Sequence, residues 1–295
     1  MSDPQPLVRH VQRARLGAEL RRLRLLAGLS GRKLAAHIGI GQASVSRIEN
    51  AQAVPSLPEV MAWADAVGAS EESRAVLVGL TESALNEVEA WRTSQQAGMP
   101  ALQADVAALE ATAQTLRIFQ PTIVPGLLQT AEYARQVFTA SDVTGRGEYA
   151  PAVAARVERQ QILYESGRVF EFVLTEPALR WRAGPPSVLR PQLDRVVTVS
   201  TLDNVSVGVI PIGTTTPVIP WVGFNLYENR TDDDRSFVTI ETPHARVTVS
   251  DPEDVRIYQA HMGQLRRVAV WGDDARSLLA RMSREVSDDS SASLT

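Results

Sequence analysis

The chain has 295 residues, 44% of them hydrophobic, 22% charged and none of them cysteine; that leaves room for two packed domains and excludes a disulfide framework, a thiolate metal site and a cysteine nucleophile. Its apolar runs are too short to span a membrane, and MSDPQPLVRHVQRARLG lacks the apolar core of a signal peptide, so a cytoplasmic protein without membrane contact is expected. Net charge is −4, but residues 1–70 carry nine Lys or Arg against five acids; a +4 head on a −8 body suggests that only the head meets a polyanion.

Residues 1–11 read as a flexible arm. Leu16, Leu20, Leu23 and Ala27 then recur at spacings of 4, 3 and 4, which predicts an amphipathic helix over 12–27 that Gly28 stops. Ser30 can cap a second helix with Leu34, Ala35 and Ile38 facing inward, and Gly39 breaks it. The next stretch, GQASVSRIEN (41–50), is also helical, but only Val45 and Ile48 share an inward face. Gln42, Ala43, Ser44, Ser46 and Arg47 are left pointing outward. Beyond Pro55 and Pro58, Leu57, Val60, Met61, Ala64 and Val67 resume the helical spacing. Two short helices joined across one Gly form a helix-turn-helix arrangement. A second helix held by so few inward residues is free to enter the major groove of duplex DNA. Glu49 is expected to pair internally, with an Arg of the first helix. Arg21, Arg22 and Arg24 can form a solvated face, and His10 and His37 read as surface residues.

Residues 71–99 carry a helical stripe of Leu77, Leu80, Ala84, Val88 and Trp91 and read as a helical linker. QQAGMP breaks the chain. Leu102, Val106, Leu109, Ala113 and Leu116 follow heptad spacing for about two heptads, too short for an independent coiled coil. A helix packed within the molecule is therefore favoured over a dimer seam. Thr130 can cap a helix over 131–140, and SDVTGRGEY is a loop. A helix over 150–166, a strand over 169–176 and a helix over 187–200 follow. Strands are expected at 205–212, 221–228 and 236–241, then helices at 252–268 and 272–286, and a disordered tail from 287. The fold class is an all-α helix-turn-helix head followed by a mixed α/β C-terminal domain over 100–286.

No Gly-rich phosphate loop is present, since GLLQT and GVIPIGT lack the required spacing. His244 and His261 lie apart with no zinc register, and Asp232, Asp233 and Asp234 suit a hairpin tip better than a cation site. Glu176 and Arg180 are four apart, suited to a local ion pair; with Gln129, Tyr133 and Arg159 they can alternatively line a ligand pocket. No catalytic set, metal or cofactor is expected.

The span LRRLRLLAGLSGRKLAAHIGIGQASVSRIENAQAVPSLPEVMAWADAVG, within residues 12–70, resembles the Cro and phage-repressor (Xre-type) class of helix-turn-helix domains. The resemblance implies that Gln42 reads adenine, that Arg47 reads guanine and that Ala43 touches a thymine methyl. It places Ser44, Arg32, Lys33 and Asn50 where the class contacts phosphate or fixes the motif. Gly31 departs from the Gln common in the class, so one phosphate contact is missing or made by a backbone N–H. FQPTIVPGLLQTAEYARQVF, RVERQQILYESGRVFEFVLTEPALRWRAGPPSVLRPQL and VSVGVIPIG resemble the uncharacterised domain that follows a Cro-type head in many actinobacterial regulators. That source agrees with 29 Arg against one Lys. The second resemblance implies transcription regulation and, in some members, function beside a small partner protein.

The expectation is a sequence-specific regulator binding double-stranded DNA as a homodimer, without enzyme activity. Its C-terminal domain would sense a small-molecule effector or dock a small protein partner. The alternatives are an antitoxin-like partner-docking protein and an enzyme targeted by a DNA-binding head.

Overall fold

The computed structural model describes residues 11–90, 99–142, 147, 149–228, 236–242 and 245–292. The arm before residue 11, His10, Trp91, Asp232, Asp233, Asp234 and His244 lie outside the described residues, as do residues 293–295 of the tail. Two compact units are present: residues 1–89 with 247–254, and residues 90–246 with 255–295.

The first unit is helical: α1 (Val11–Leu26), α2 (Gly31–Ile38), α3 (Gln42–Glu49), α4 (Leu57–Ala66) and α5 (Glu71–Leu85). Leu16, Leu20 and Leu23 of α1 are buried as the spacing requires. Ala27 is exposed, because α1 ends at Leu26 and Gly28 turns the chain away with φ +67°. Ser56 and Glu59 form a capping box at the start of α4, with Pro58 in its first turn. Val60, Trp63 and Ala64 are fully buried, whereas Met61 and Val67 are only partly so. Trp63 and Met61 are two apart, which puts them on different faces of α4, and it is the Trp63 face that enters the core with Leu20 and Leu77.

The linker reading of residues 71–99 is corrected. Leu77, Ala84 and Leu85 of α5 sit in the same core as Leu20 and Trp63, so α5 is part of the head. The helix also stops at Leu85, and Val88 lies on strand β1 (Asn86–Ala90). The Leu85 carbonyl accepts from the Ser250 N–H at 2.9 Å, a backbone partner remote in sequence that local periodicity does not reveal.

The second unit starts with α6 (Met99–Thr112) and β2 (Thr115–Gln120), followed by a 3-10 turn over Gly126–Leu128. Helices α7 (Ala131–Ser141) and α8 (Tyr149–Arg159) come next; the chain after α8 tightens into a 3-10 segment, Gln160–Tyr164. Then come β3 (Val169–Thr175), the short α9 (Glu176–Arg180), α10 (Pro186–Val199), β4 (Val205–Ile210), β5 (Phe224–Glu228), β6 (Phe237–Glu241), β7 (Ala245–Val249), α11 (Pro252–Val268) and α12 (Gly272–Ala292), of which the end of β7 and the start of α11, within residues 247–254, belong to the first unit. Strands β2 to β7 take the order β7-β6-β5-β2-β3-β4 in a mixed sheet of seven strands that β1 completes beside β7. β3 pairs parallel with β2 and β4, while β5 is antiparallel to β2 and β6.

The heptad-like run over 102–116 is two elements, not one. Its last member, Leu116, lies on β2 opposite Phe170 and Tyr227. The Arg168 guanidinium ends α6 by donating to the carbonyls of Glu110, Ala111 and Ala113 at 3.1, 3.0 and 2.5 Å. Strands β2 and β7 were not visible as alternating patterns. β3 is buried from Phe170 to Leu174, including Glu171, because it lies inside the sheet with neighbours on both faces. One face is packed by Val137 of α7, Leu189 and Leu193 of α10 and Leu279 and Met282 of α12. On the other, Phe224 meets Tyr258 and His261 of α11 edge-on, at 5.1 and 6.0 Å. Helix α12 continues to Ala292, past the expected start of the tail, since SDDSSA contains neither Gly nor Pro to break it. Among the described residues, no helix is long and apolar enough to cross a membrane, and no group of three or more His, Asp or Glu is placed to hold a metal.

Candidate nucleic-acid interface and the C-terminal polar clusters

The helix-turn-helix is built from local rules first. The Ser30 hydroxyl accepts the Lys33 N–H at 3.2 Å and starts α2. Gly39 adopts φ +73°, and the Ile40 N–H returns to the Ala35 carbonyl at 3.1 Å, closing α2 so that α3 can start two residues later. Val45 and Ile48 are the only fully buried residues of α3. Gln42, Ala43 and Ser46 are exposed, as are Arg32 and Lys33 on α2, while Ser44 and Arg47 are half-buried. Arg47 Nη2 donates to Ser44 Oγ at 3.3 Å. Asn50 Nδ2 donates to the Ser46 carbonyl at 2.8 Å, so in the free protein this residue closes the end of α3. His37 is exposed.

Two residues set how α3 is held. Glu49 accepts Arg24 Nε at 2.5 Å and Nη2 at 2.7 Å, and Arg24 Nη1 donates to the Leu29 carbonyl at 2.8 Å. This is the internal pair expected for Glu49. It removes Arg24 from any solvated face, since the two side chains are only 10% and 9% exposed. Arg22 pairs with Glu19, and Arg21 is exposed. The second residue is Gly17 on α1, which sequence reasoning missed. A Cβ there would lie 2.5 Å from the Ile48 carbonyl oxygen and 3.1 Å from that of Glu49. Its absence lets α1 and the end of α3 meet backbone to backbone. The signal in the sequence is a lone Gly inside a strong helical stripe.

In the second unit the five candidate ligand residues fall into separate settings. Gln129 and Arg159 belong to one buried polar cluster. Gln129 Nε2 donates to the Val124 carbonyl at 2.7 Å, and its Oε1 accepts from Arg156 Nη1 at 2.6 Å. Arg159 Nε lies 3.3 Å from Glu110 Oε2, with both side chains nearly buried. Gln160 ties the same loop by donating to the carbonyls of Gly126 and Gln129 at 3.0 and 2.7 Å. Gly126 leaves room for the guanidinium: a Cβ there would sit 2.5 Å from Arg159 Nη2. The block PGLLQT is thus clamped by ERQ (158–160) and by Gln192, which accepts the Thr130 N–H and donates to the Leu128 carbonyl, both at 2.8 Å. Burial pushes the Glu110 carboxyl up to about 7, against the opposing pull of Arg159 and Arg156. Gln103 and Glu110 are the buried positions of α6, seven apart, while Leu102, Val106 and Leu109 are only partly covered. The leucine spacing of α6 carries no sign of these polar partners, whose seven-residue separation runs beside it.

Tyr133 is fully buried, edge-on to Trp181 at 6.5 Å. Its hydroxyl faces the Val124 backbone without a regular hydrogen bond, and burial pushes it up to about 12. Glu176 and Arg180 form the local ion pair at 2.7 Å. Glu176 Oε2 also accepts the Ile212 N–H at 3.0 Å, and Arg180 Nη1 reaches Glu285 Oε2 at 2.8 Å. Burial acts to raise the Glu176 carboxyl, but the Ile212 N–H and Arg180 outweigh it, and the group lies below the usual carboxylate range.

Comparison with known families accords with this division. A family model described as "Domain of unknown function (DUF5753)" matches residues 103–281. The chain belongs to the DUF5753 family. A second model, described as "Helix-turn-helix domain", matches residues 15–77. It spans α1 to α4 and the start of α5, and it marks the protein as a DNA-binding regulator with a DUF5753 unit behind its head. No curated protein matches the chain in sequence.

Proposed function

We propose that this protein is a sequence-specific transcriptional regulator of the Xre type, acting in the cytoplasm of an actinobacterium. Its head reads duplex DNA with α3, and its DUF5753 unit receives a small-molecule effector or a partner protein without turning it over. The observation that carries the reading is the division of α3: Val45 and Ile48 anchor it in the core, while Gln42, Ala43 and Ser46 stay exposed beside Arg47. Small side chains allow close approach to base edges, Gln suits adenine and Arg suits guanine. Arg32, Lys33, Ser44 and Asn50 then lie where phosphate contacts would set register. Binding as a homodimer to a pseudo-palindrome, with half-sites about 34–36 Å apart, would give one small head the affinity it lacks alone.

Binding without turnover is supported by how the buried ionisable groups are used: Glu110 with Arg159, Glu171 with Arg266 and Arg117, and Glu176 with Arg180 are engaged with one another.

The test is a genome-wide binding footprint with the full chain. Titration of each recovered site against a scrambled duplex at fixed salt follows, with light scattering of the free and bound protein. Recovered sites should bind far more tightly than scrambled DNA, with two chains per site. Equal affinity for both duplexes refutes sequence-specific reading, and one chain per site refutes the dimer.

A further inference from the structure

The first unit is not one continuous stretch of chain. Val247–Asp254 belongs to it, although the segment falls inside the residues matched by the DUF5753 family. Thr248, Val249 and Ser250 of this segment are buried. Ser250 holds two helices of the head at once. Its N–H donates to the Leu85 carbonyl at 2.9 Å, one of the carbonyls that the end of α5 leaves without a helical partner. Its Oγ accepts from Nη2 of Arg13, in the first turn of α1, at 3.2 Å. The segment has little slack. Asp251 Oδ1 accepts the N–H groups of Glu253 and Asp254 at 2.8 and 3.3 Å and so starts α11, with Pro252 as its first residue.

Arg13 and Gly17 are four apart and share a face of α1. At Gly17 the helix meets the end of α3 backbone to backbone, since a Cβ there would lie 2.5 Å from the Ile48 carbonyl oxygen. One turn of α1 therefore separates the contact with Ser250 from the contact with the recognition helix. Arg24, further along α1, ties Glu49 of α3 a second time. Where α1 lies thus fixes where α3 lies. The segment that clips α1 is joined to the DUF5753 unit at both ends, through β7 before Val247 and through α11 after Asp254.

We propose that Ser250 is a positioning residue for DNA reading. Val247–Asp254 straps α1 to the end of α5, and α1 in turn holds α3. This assignment rests on the reading of α3 as the DNA-reading helix, and it names the element by which the DUF5753 unit regulates that helix. An effector held in the DUF5753 unit changes DNA affinity only through an element arranged differently in the competent and incompetent states. The Ser250 strap, continuous with β7 and α11, is that element.

Two measurements on the full chain test this. The first needs no DNA. Ile48→Val loosens the head core and should lower the protection of α1 to α4 amides against hydrogen exchange by about two- to tenfold. The Ser250 amide should lose protection by the same factor, while the amides of β3 keep theirs. Leu20→Ala repeats the comparison with a larger loss. A Ser250 amide that stays protected while the head opens puts the segment outside the head and overturns the proposal. The second measurement compares the operator recovered by footprinting with a scrambled duplex at fixed salt. Ser250→Ala should weaken operator binding by about threefold or more, a fraction of the worth of a hydrogen bond from a charged donor. Binding to the scrambled duplex should not change, so the ratio of the two affinities falls. A role in stability alone would lower the melting temperature and leave that ratio where it was. In an Arg13→Met background Ser250→Ala should have no further effect, because the shared contact is already gone. An unchanged ratio in Ser250→Ala, or an equal loss with and without Arg13, overturns the positioning role. An unaltered chain that binds both duplexes alike fails the regulator reading instead, and the exchange comparison still decides whether the segment belongs to the head.

Discussion

Replacing Arg24 by Leu tests how the recognition helix is held. Arg24 gives two N–H groups to Glu49, at 2.5 and 2.7 Å, and one to the Leu29 carbonyl at 2.8 Å. Glu49 is the last residue of α3, so the pair ties that end to α1. Arg24→Leu leaves a carboxylate with only 9% side-chain exposure and no cation beside it. Breaking a buried pair in this way costs about 3–5 kcal/mol. Because each side chain keeps about a tenth of its surface in water, we expect the lower end, about 3 kcal/mol, or about a hundredfold in the folding constant of the head. The double replacement Arg24→Leu/Glu49→Leu removes both charges and should cost less than Arg24→Leu alone, because no charge is left stranded. Hydrogen exchange followed by mass spectrometry of peptides from α1 to α4 reads head opening separately from the rest of the chain. A loss of protection worth less than about 1 kcal/mol in Arg24→Leu would class the pair with ordinary surface bridges and refute the reasoning. So would a double variant less stable than the single one.

Gly17→Ala should destabilise the head despite a gain of up to about 1 kcal/mol in helix propensity. The added Cβ meets the Ile48 carbonyl oxygen at 2.5 Å, and overpacking against backbone costs about 1–3 kcal/mol. A raised melting temperature with unchanged DNA affinity would show that α1 and α3 separate freely. Arg47→Ala should weaken binding to the specific site by about 1–3 kcal/mol and relax preference at one base position; unchanged affinity and preference in a base-substituted duplex series count against it. Glu110 links stability to pH. Its carboxyl is raised from 4.5 to about 7, so between these values the folded chain holds a proton that the unfolded chain has lost. Its contribution is greatest below pH 4.5 and is lost as pH rises toward 7, at no more than about 1.4 kcal/mol per pH unit. Glu110→Gln should flatten that part of the melting-temperature profile, and superimposable profiles for the two proteins would remove Glu110 as the cause.

What the amino-acid order determined by itself was chiefly what local rules govern. Ser30, Gly39 and the short inward face of Val45 and Ile48 specify two helices and the turn between them, because caps, positive φ and helical spacing act within a few residues. For the same reason the exposed face of α3 was legible before any coordinate, and so was an internal pair for Glu49. The strands with clear β-branched or aromatic patterns, such as Val205–Ile210, were legible too. Tertiary structure decided the rest. Leu116 sits in a strand because β3 and β5 supply its backbone partners, though its spacing from Leu109 is that of a helix. Leu85 ends α5 because Ser250, far along the chain, meets its carbonyl. Gln129, Tyr133, Arg159, Glu176 and Arg180 were grouped from sequence as one set near element junctions. The packing divides them between the Glu110–Arg156 cluster, the Trp181 edge and the Glu285 pair. Which polar groups share a space depends on contacts between residues tens of positions apart, and these carry no signature in local spacing. Glu285 shows this most clearly: in sequence it is one acid in a polar helix, and only the packing of α12 beside α10 brings it to Arg180.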